Sequence, residues 1–346
     1  MTLSTYSSLD QHLHNQFLGN SEISNFLYER IKKYKKPKDK IQKIFICGFA
    51  RAGTTALLNQ LYSSNQFASL KYSHMPFILN PRLSNLYSNF IKNKNLESIE
   101  RLHKDGIQIS INSPECLDEP FWIKENPSYF SQPISVKRKY TKRTLSSYDN
   151  FLSRHAFFQK KKKILIKNNN NLLRLPHLCK YLKDDLFIVL FRDPISHALS
   201  LDKTHEKICE AQKRDPFILE YMNLIGHREF GLNQKPFYYE TKDDQLESVI
   251  NTKERLNFWF KSWINSYSWL FEYISAKKPK NLLLISYEEL CKPNSVKLEK
   301  IFKLTKINND CKFILKNKNK NKFNIKADKT LIDLSKLIYS KLSELS

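Results

Sequence analysis

Apolar residues in this chain fall into short unbroken runs and longer spaced stripes, and the two patterns predict different elements. Ile44–Cys47, Ile164–Ile166, Leu186–Phe191 and Leu282–Ser286 are continuous or nearly continuous apolar runs. Runs of that length predict parallel strands covered on both faces. Phe67–Leu70 predicts one more short strand. The spaced stripes read as helices. Leu9, Leu13 and Phe17, then Ile23, Phe26, Leu27 and Ile31, give a broken helical period ahead of the first strand, hence one or two helices leading into the sheet. Within 215–275, Leu256, Phe258, Trp259, Trp263, Tyr267 and Leu270 recur at helical spacing, and these aromatics are expected in the core. LIDLSKLIYSKL (331–342) predicts an amphipathic helix docked on the body. The polar stretch 76–150, with its prolines and serines, predicts loops and helices over a substrate site. Strands alternating with helices place the chain in the α/β class.

Between the first strand and the next helix the chain reads GFARAGTT (48–55). Gly48 and Gly53 bracket four residues, and Thr54 and Thr55 open a helix expected to reach about Ser63. Backbone N–H groups of such a loop converge on one concavity, and the helix adds its positive dipole end. That is an anion cradle. Its spacing comes close to the nucleotide-binding pattern G-x-x-x-x-G-K-[ST]. It predicts a P-loop-type three-layer sandwich with a central, mainly parallel sheet and helical insertions. The pattern departs at one position: Thr54 stands where a lysine reaches the β- and γ-phosphates in nucleotide hydrolases. The loop's charge sits instead at Arg51, whose planar fork suits a terminal anionic group.

A second anion grip follows Leu186–Phe191. Arg192 ends the run, Pro194 suits the first turn of a helix, and Ser200 lies about two turns further on. Arg51 and Arg192 both stand just beyond strand carboxyl ends, where open α/β sheets bind ligands. Two grips on one sheet edge imply a nucleoside carrying phosphates at both ends.

The pair GFARAGTT and FRDPISHALS resembles the two cofactor signatures of sulfotransferases that use 3′-phosphoadenosine 5′-phosphosulfate. Further segments resemble bacterial sulfotransferase-like proteins: HKDGIQISINSPECLDEPFW (103–122), ILIKNNNNLLRL (164–175), YMNLIGHREFG (221–231) and LLLISYEEL (282–290). The likeness keeps its order from about residue 41 to about residue 305. It implies that Arg51, Ala52, Gly53, Thr54 and Thr55 hold the 5′-phosphosulfate, that Arg192 and Ser200 hold the 3′-phosphate, and that Tyr287 contacts the cofactor. The expected organisation is an N-terminal helical extension (1–40), a sulfotransferase α/β domain (41–310), and a Lys/Asn-rich segment with a docked C-terminal helix (311–346).

Charge changes the picture little. The chain has 346 residues, with 58 Lys and Arg against 34 Asp and Glu, for a net charge of +24. Such a surplus raises a nucleic-acid reading, but the basic runs at 32–43, 137–143, 160–163 and 312–329 are scattered, and no nucleic-acid-binding motif accompanies them. Lysine and asparagine are used together, as in NNNN (168–171) and KNKNKNKFN (316–324), and read as solvated faces. No nucleic-acid partner is expected; the field steers anionic ligands. The six cysteines stand far apart, without metal-site spacing, so no metal is expected. The start has no signal-peptide pattern, and no apolar run approaches the ~20 residues of a membrane span. Reduced cysteines and these absences give a cytoplasmic expectation.

Sulfuryl transfer, like phosphoryl transfer, needs cations at the leaving oxygen and a base at the acceptor hydroxyl. Arg51 and Lys167 are the candidate cations. By resemblance the first candidate base is His74, 23 residues after Arg51, where many relatives place a carboxylate and this chain has a histidine, which titrates near neutrality. Glu115 is the second, with Glu119 and then Asp118 behind it. His103 and Asp105 are expected to shape the acceptor pocket. The expected activity is transfer of a sulfuryl group from 3′-phosphoadenosine 5′-phosphosulfate to a hydroxyl or amine of a carbohydrate, lipid, peptide or small metabolite. The competing readings are a P-loop nucleotide kinase or NTPase, and a noncatalytic nucleotide-binding protein.

Overall fold

A computed structural model describes residues 7–31, 37, 39–91, 99–100, 107–126, 128–130, 135–239, 254–307 and 326–346. Its centre is a five-stranded sheet in which every pairing is parallel. In chain order the strands are β1 (Gln42–Gly48), β2 (Ala68–Ser69), β3 (Lys163–Lys167), β4 (Leu186–Phe191) and β5 (Leu282–Ser286). Across the sheet they run β2–β3–β1–β4–β5. β1 is therefore the middle strand, and the chain adds later strands on both sides of it. That is a topological switch point, where parallel sheets open a crevice at their carboxyl ends.

The apolar runs alternate between two cores. Phe45, Cys47, Ile164, Ile166, Phe187, Val189 and Phe191 face one; Ile44, Ile46, Leu165, Ile188 and Leu190 face the other. Helix α1 (Thr54–Tyr62) covers the second face through Leu57, Leu58 and Leu61. The first face is covered by α2 (Lys142–Phe158), α3 (Asn171–Tyr181), α4 (Pro194–Arg214) and α5 (Arg255–Lys277). The last helix, α6 (Lys329–Leu345), packs on α4, α5 and β5. The aromatics of α5 are core, as the periodicity predicts: Phe258, Trp259, Trp263 and Tyr267 are buried.

The helix expected across 215–275 is interrupted. Pro216–Leu224 and α5 are helical, but residues 225–239 are irregular. Gly226 and Gly231 both have positive φ (68° and 90°), which ends the first helix and lets the chain turn toward the sheet edge. Residues 8–31 form two helices, Ser8–His14 and Ser21–Ile31, joined by a π-turn at Asn15–Gly19. His103, Asp105, Cys311 and most of the 312–329 basic run lie outside the described residues.

Candidate active site at the carboxyl edge of the sheet

The loop from β1 to α1 is held from several sides. The Ala52 N–H donates to the Phe49 carbonyl (3.1 Å), which closes a tight turn with Arg51 at φ 73°. A left-handed backbone is unfavourable for a residue with a Cβ, so the surroundings must hold it. His197 on α4 does part of this. The Trp263 indole N–H donates to His197 Nδ1 (3.1 Å), so Nε2 carries the proton and donates to the Ala50 carbonyl (2.6 Å). Burial pushes the imidazole pKa down to about 3, so the ring is the neutral brace this geometry requires. The Phe49 N–H reaches Tyr267 Oη (3.4 Å), and that hydroxyl donates to the Leu190 carbonyl (2.9 Å). Gly53, at φ 97°, has no room for a side chain: a Cβ there would stand 2.2 Å from the Tyr287 ring.

The two sequence motifs meet in one crevice. Arg192 Nη1 donates to the Arg51 carbonyl (3.2 Å), and Arg51 Nε donates to Ser200 Oγ (3.1 Å). The Arg192 guanidinium lies 5.3 Å over the Tyr287 ring. Tyr287 thus stands between Gly53 and Arg192. Asp193 caps α4 by accepting from the Ser196 N–H (2.8 Å), with Pro194 in the first turn. Ala52, Thr54 and Thr55 are buried beneath the loop.

Beside this crevice, at the end of β3, lies a polar network. The Lys167 ammonium donates to Glu115 Oε1 (2.8 Å), which also accepts the Cys116 N–H (2.9 Å). Burial works against the lysine charge, and the Glu115 carboxylate more than offsets it, so the ammonium pKa lies above the ordinary lysine value. The four asparagines 168–171 are buried; the solvated face expected from their composition is corrected here. They follow the end of a central strand, and their amides join charged groups. Asn168 Nδ2 donates to Asp118 Oδ1 (2.9 Å) and Glu119 Oε2 (2.7 Å). Asn169 Nδ2 donates to Glu229 Oε1 (2.8 Å), while its Oδ1 accepts from Thr54 Oγ1 (3.4 Å).

The other candidate bases are placed away from solvent. Glu119 is fully buried and paired with Arg174, whose Nη1 donates to Glu119 Oε2 (2.9 Å) and whose Nη2 reaches Oε1; Tyr129 adds its hydroxyl to Oε1 (2.5 Å). Burial alone would raise the Glu119 pKa, and Arg174 overrides it and holds the carboxyl below its ordinary value. Asp118 accepts the Tyr148 hydroxyl, and burial, then the neighbouring Glu119 charge, pushes its pKa up to about 6. His74 is not brought into the network. Its ring has no exposed surface, Nδ1 accepts the Lys71 N–H (3.2 Å), and its centroid lies 5.5 Å from that of His155. Burial, then His155 and Lys71, hold its pKa well below the ordinary histidine value.

Sequence reasoning missed Asn169 and Glu229. Glu229 is half-buried in the segment 226–231, which is pinned to the site by His227 Nε2 on the Cys116 carbonyl (2.9 Å). The signal present in the sequence was a run of polar residues directly after a central strand, together with a glycine-bounded HREF segment.

A sequence model of the sulfotransferase family (Sulfotransfer_3) matches residues 43–309. The chain belongs to the sulfotransferase family. It is similar in structure to sulfotransferase STF1 from Mycobacterium tuberculosis, with 13% identity and a TM-score of 0.51 over 88% of this chain and 78% of that one. Sulfotransferase STF9 from Mycobacterium avium aligns with 10% identity and a TM-score of 0.45 over 87% and 73% of the two chains. The sulfotransferase domain from the curacin biosynthetic pathway aligns with 12% identity and a TM-score of 0.34 over 78% and 76%. At such identity the likeness to STF1 bears on the fold alone. No curated protein sequence matches this chain. No described helix is long and apolar enough to cross a membrane.

Proposed function

We propose that this protein transfers a sulfuryl group from 3′-phosphoadenosine 5′-phosphosulfate to an acceptor hydroxyl or amine. The observation that carries this reading is the contact between the two motifs: Arg192 bonded to the Arg51 carbonyl, and Arg51 bonded to Ser200. A 3′,5′-bisphosphorylated ribose presents its two anionic arms close together, and two adjacent guanidinium groups at a helix N-terminus match that charge pattern.

The donor supplies an activated sulfuryl group with a phosphate leaving group. Arg51 and the N–H groups of residues 53–55 bind the anionic arm, with Ala52, whose own N–H is held by the Phe49 carbonyl, shaping the loop, while Arg192 and Ser200 take the second phosphate against Tyr287. Lys167 offers positive charge at the leaving oxygen, where such cations matter most as bonds break. Glu115 holds that ammonium in place. Glu229 takes the proton of the acceptor hydroxyl: its Oε1 is steadied by Asn169, which also contacts Thr54 at the mouth of the loop. His74 would need to leave its enclosure to serve that role.

A nucleotide hydrolase is the less favoured reading, because Thr54 replaces the phosphate-reaching lysine. A thermal-shift comparison separates the two. Adenosine 3′,5′-bisphosphate is expected to raise the melting temperature more than ATP with Mg²⁺; an equal or reversed order would move the protein to the hydrolases.

A further inference from the structure

Three buried or half-buried arginines are matched by acceptors. Arg174 meets Glu119, Arg255 meets Asp202 and Glu206, and Arg192 meets the Arg51 carbonyl. Arg138 and Arg228 are different. Both stand over one ring, with guanidinium carbons 5.9 Å and 6.0 Å from the centroid of Tyr129, and Arg228 also lies 4.3 Å over Phe130. The Tyr129 hydroxyl is already committed to Glu119. Arg138 Nη2 and Arg228 Nε are shielded from water and have no hydrogen-bond partner. Neither guanidinium has an ion pair among the described residues.

A cation–π contact offsets part of the loss of water, but it cannot satisfy in-plane N–H donors. A shielded charged donor without an acceptor is expensive, and it calls for an explanation. Two of them against one aromatic ring, neither in an ion pair among the described residues, are short of an anion. Their position says which anion. Arg228 immediately precedes Glu229, and Gly226 packs against Glu119 and Tyr129 so closely that a Cβ would stand 2.4 Å from Glu119 Cγ. The pair therefore lies beside Glu119 and the Gly226–Glu229 segment of the site. Exposed Lys137, Lys139, Lys142 and Arg143 continue the positive field from Arg138, which raises the local concentration of anions.

We propose that Arg138 and Arg228, framed by Tyr129 and Phe130, form an anion subsite for the acceptor, which therefore carries a phosphate, sulfate or carboxylate group near the hydroxyl that meets Glu229. The word acceptor rests on the sulfotransferase reading; the subsite itself is read by direct binding. The full-length protein is first saturated with adenosine 3′,5′-bisphosphate, which fills the donor-side anion grips, and is then titrated with phenyl phosphate in a calorimeter, with phenol as the neutral control.

Phenyl phosphate is expected to bind, and phenol at least tenfold more weakly. Arg228→Gln and, separately, Arg138→Gln are each expected to weaken phenyl phosphate at least tenfold, with bisphosphate affinity and melting temperature unchanged. Lys183→Gln, on an exposed turn, is expected to leave it within twofold. Equal affinity for phenol, or undiminished phenyl phosphate binding in both arginine variants, would overturn the proposal. Should the bisphosphate fail to bind, the donor reading falls instead, and phenyl phosphate titrated alone against the same variants still decides the subsite.

Discussion

The proposed donor crevice and the proposed acceptor wall share one sheet edge but are built in different ways. The crevice comes from three continuous stretches, 48–55, 191–200 and 286–288. Much of its surface is backbone, shaped by two glycines, Gly48 and Gly53, one left-handed arginine and the braces His197 and Tyr267. The wall is gathered from Glu115–Glu119, Tyr129, Lys167–Asn169, Arg174 and Gly226–Glu229. Its polar side chains mostly satisfy one another. A backbone cradle keeps its shape when one side chain changes. A side-chain network loses several partners at once, because every member is buried against the others. The wall is therefore expected to be the more fragile of the two, and the crevice the more tolerant.

The largest test of that difference is Glu119→Ala. It leaves the buried Arg174 charge, the Tyr129 hydroxyl and the Asn168 amide without their shared acceptor. Removing one member of a buried ion pair typically costs about 3–5 kcal/mol, so urea denaturation is expected to show a loss of that size. A variant as stable as the parent would mean that water already reaches this pair.

Next in size is Glu229→Gln, which sits in the same wall but at its open edge. The amide keeps a hydrogen-bond acceptor for Asn169 and cannot take a proton. Transfer of labelled sulfate from donor into native-cell extract is expected to fall by about 10²–10³, equivalent to about 3–4 kcal/mol in the barrier. Binding of adenosine 3′,5′-bisphosphate is expected to stay at the parent value. Undiminished transfer would return the base to Glu115 or to a His74 released from its enclosure.

On the crevice side, Arg192→Ala is expected to weaken bisphosphate binding by about 2–3 kcal/mol, the usual size for a lost charge-assisted contact, with little change in melting temperature. A large loss of stability instead would show that the contact to the Arg51 carbonyl, rather than to a ligand, is its main role.

The same contrast governs what the sequence disclosed. Strand, loop and helix at 42–62 and again at 186–214 are set by neighbours in the chain, so apolar runs, Gly53, Arg51, Pro194 and Arg192 could be read directly. The wall depends on pairings across long separations, such as Lys167 with Glu115 and Asn169 with Glu229, which leave no periodic trace. NNNN looked like composition because its amides become structural only when residues 115–119 and 226–231 fold over them. Spacing after the loop singles out His74, but spacing cannot tell a ring facing substrate from one enclosed at the end of the 3₁₀ turn Tyr72–His74.

A smaller effect isolates the brace that lets the crevice tolerate change. His197 stays neutral in the fold, with its pKa pushed down to about 3, whereas an unfolded chain protonates histidine near its ordinary value of about 6.5. Between those values the unfolded state holds the extra proton, so stability falls as pH drops below about 6.5 and levels off near 3. Each such group contributes a slope of about 1.4 kcal/mol per pH unit inside that window. His155, also pushed down to about 3 by burial, adds a second slope, and it lies on α2, away from the loop. His197→Gln is therefore expected to flatten the stability profile by one proton's worth, with the His155 slope still present. Because the glutamine amide can still donate to the Ala50 carbonyl, the variant should also keep most of its bisphosphate affinity at pH 7.5. Parallel profiles for parent and variant between pH 6 and 4 would mean that His197 binds its proton in the folded protein, and that the loop is held by other contacts.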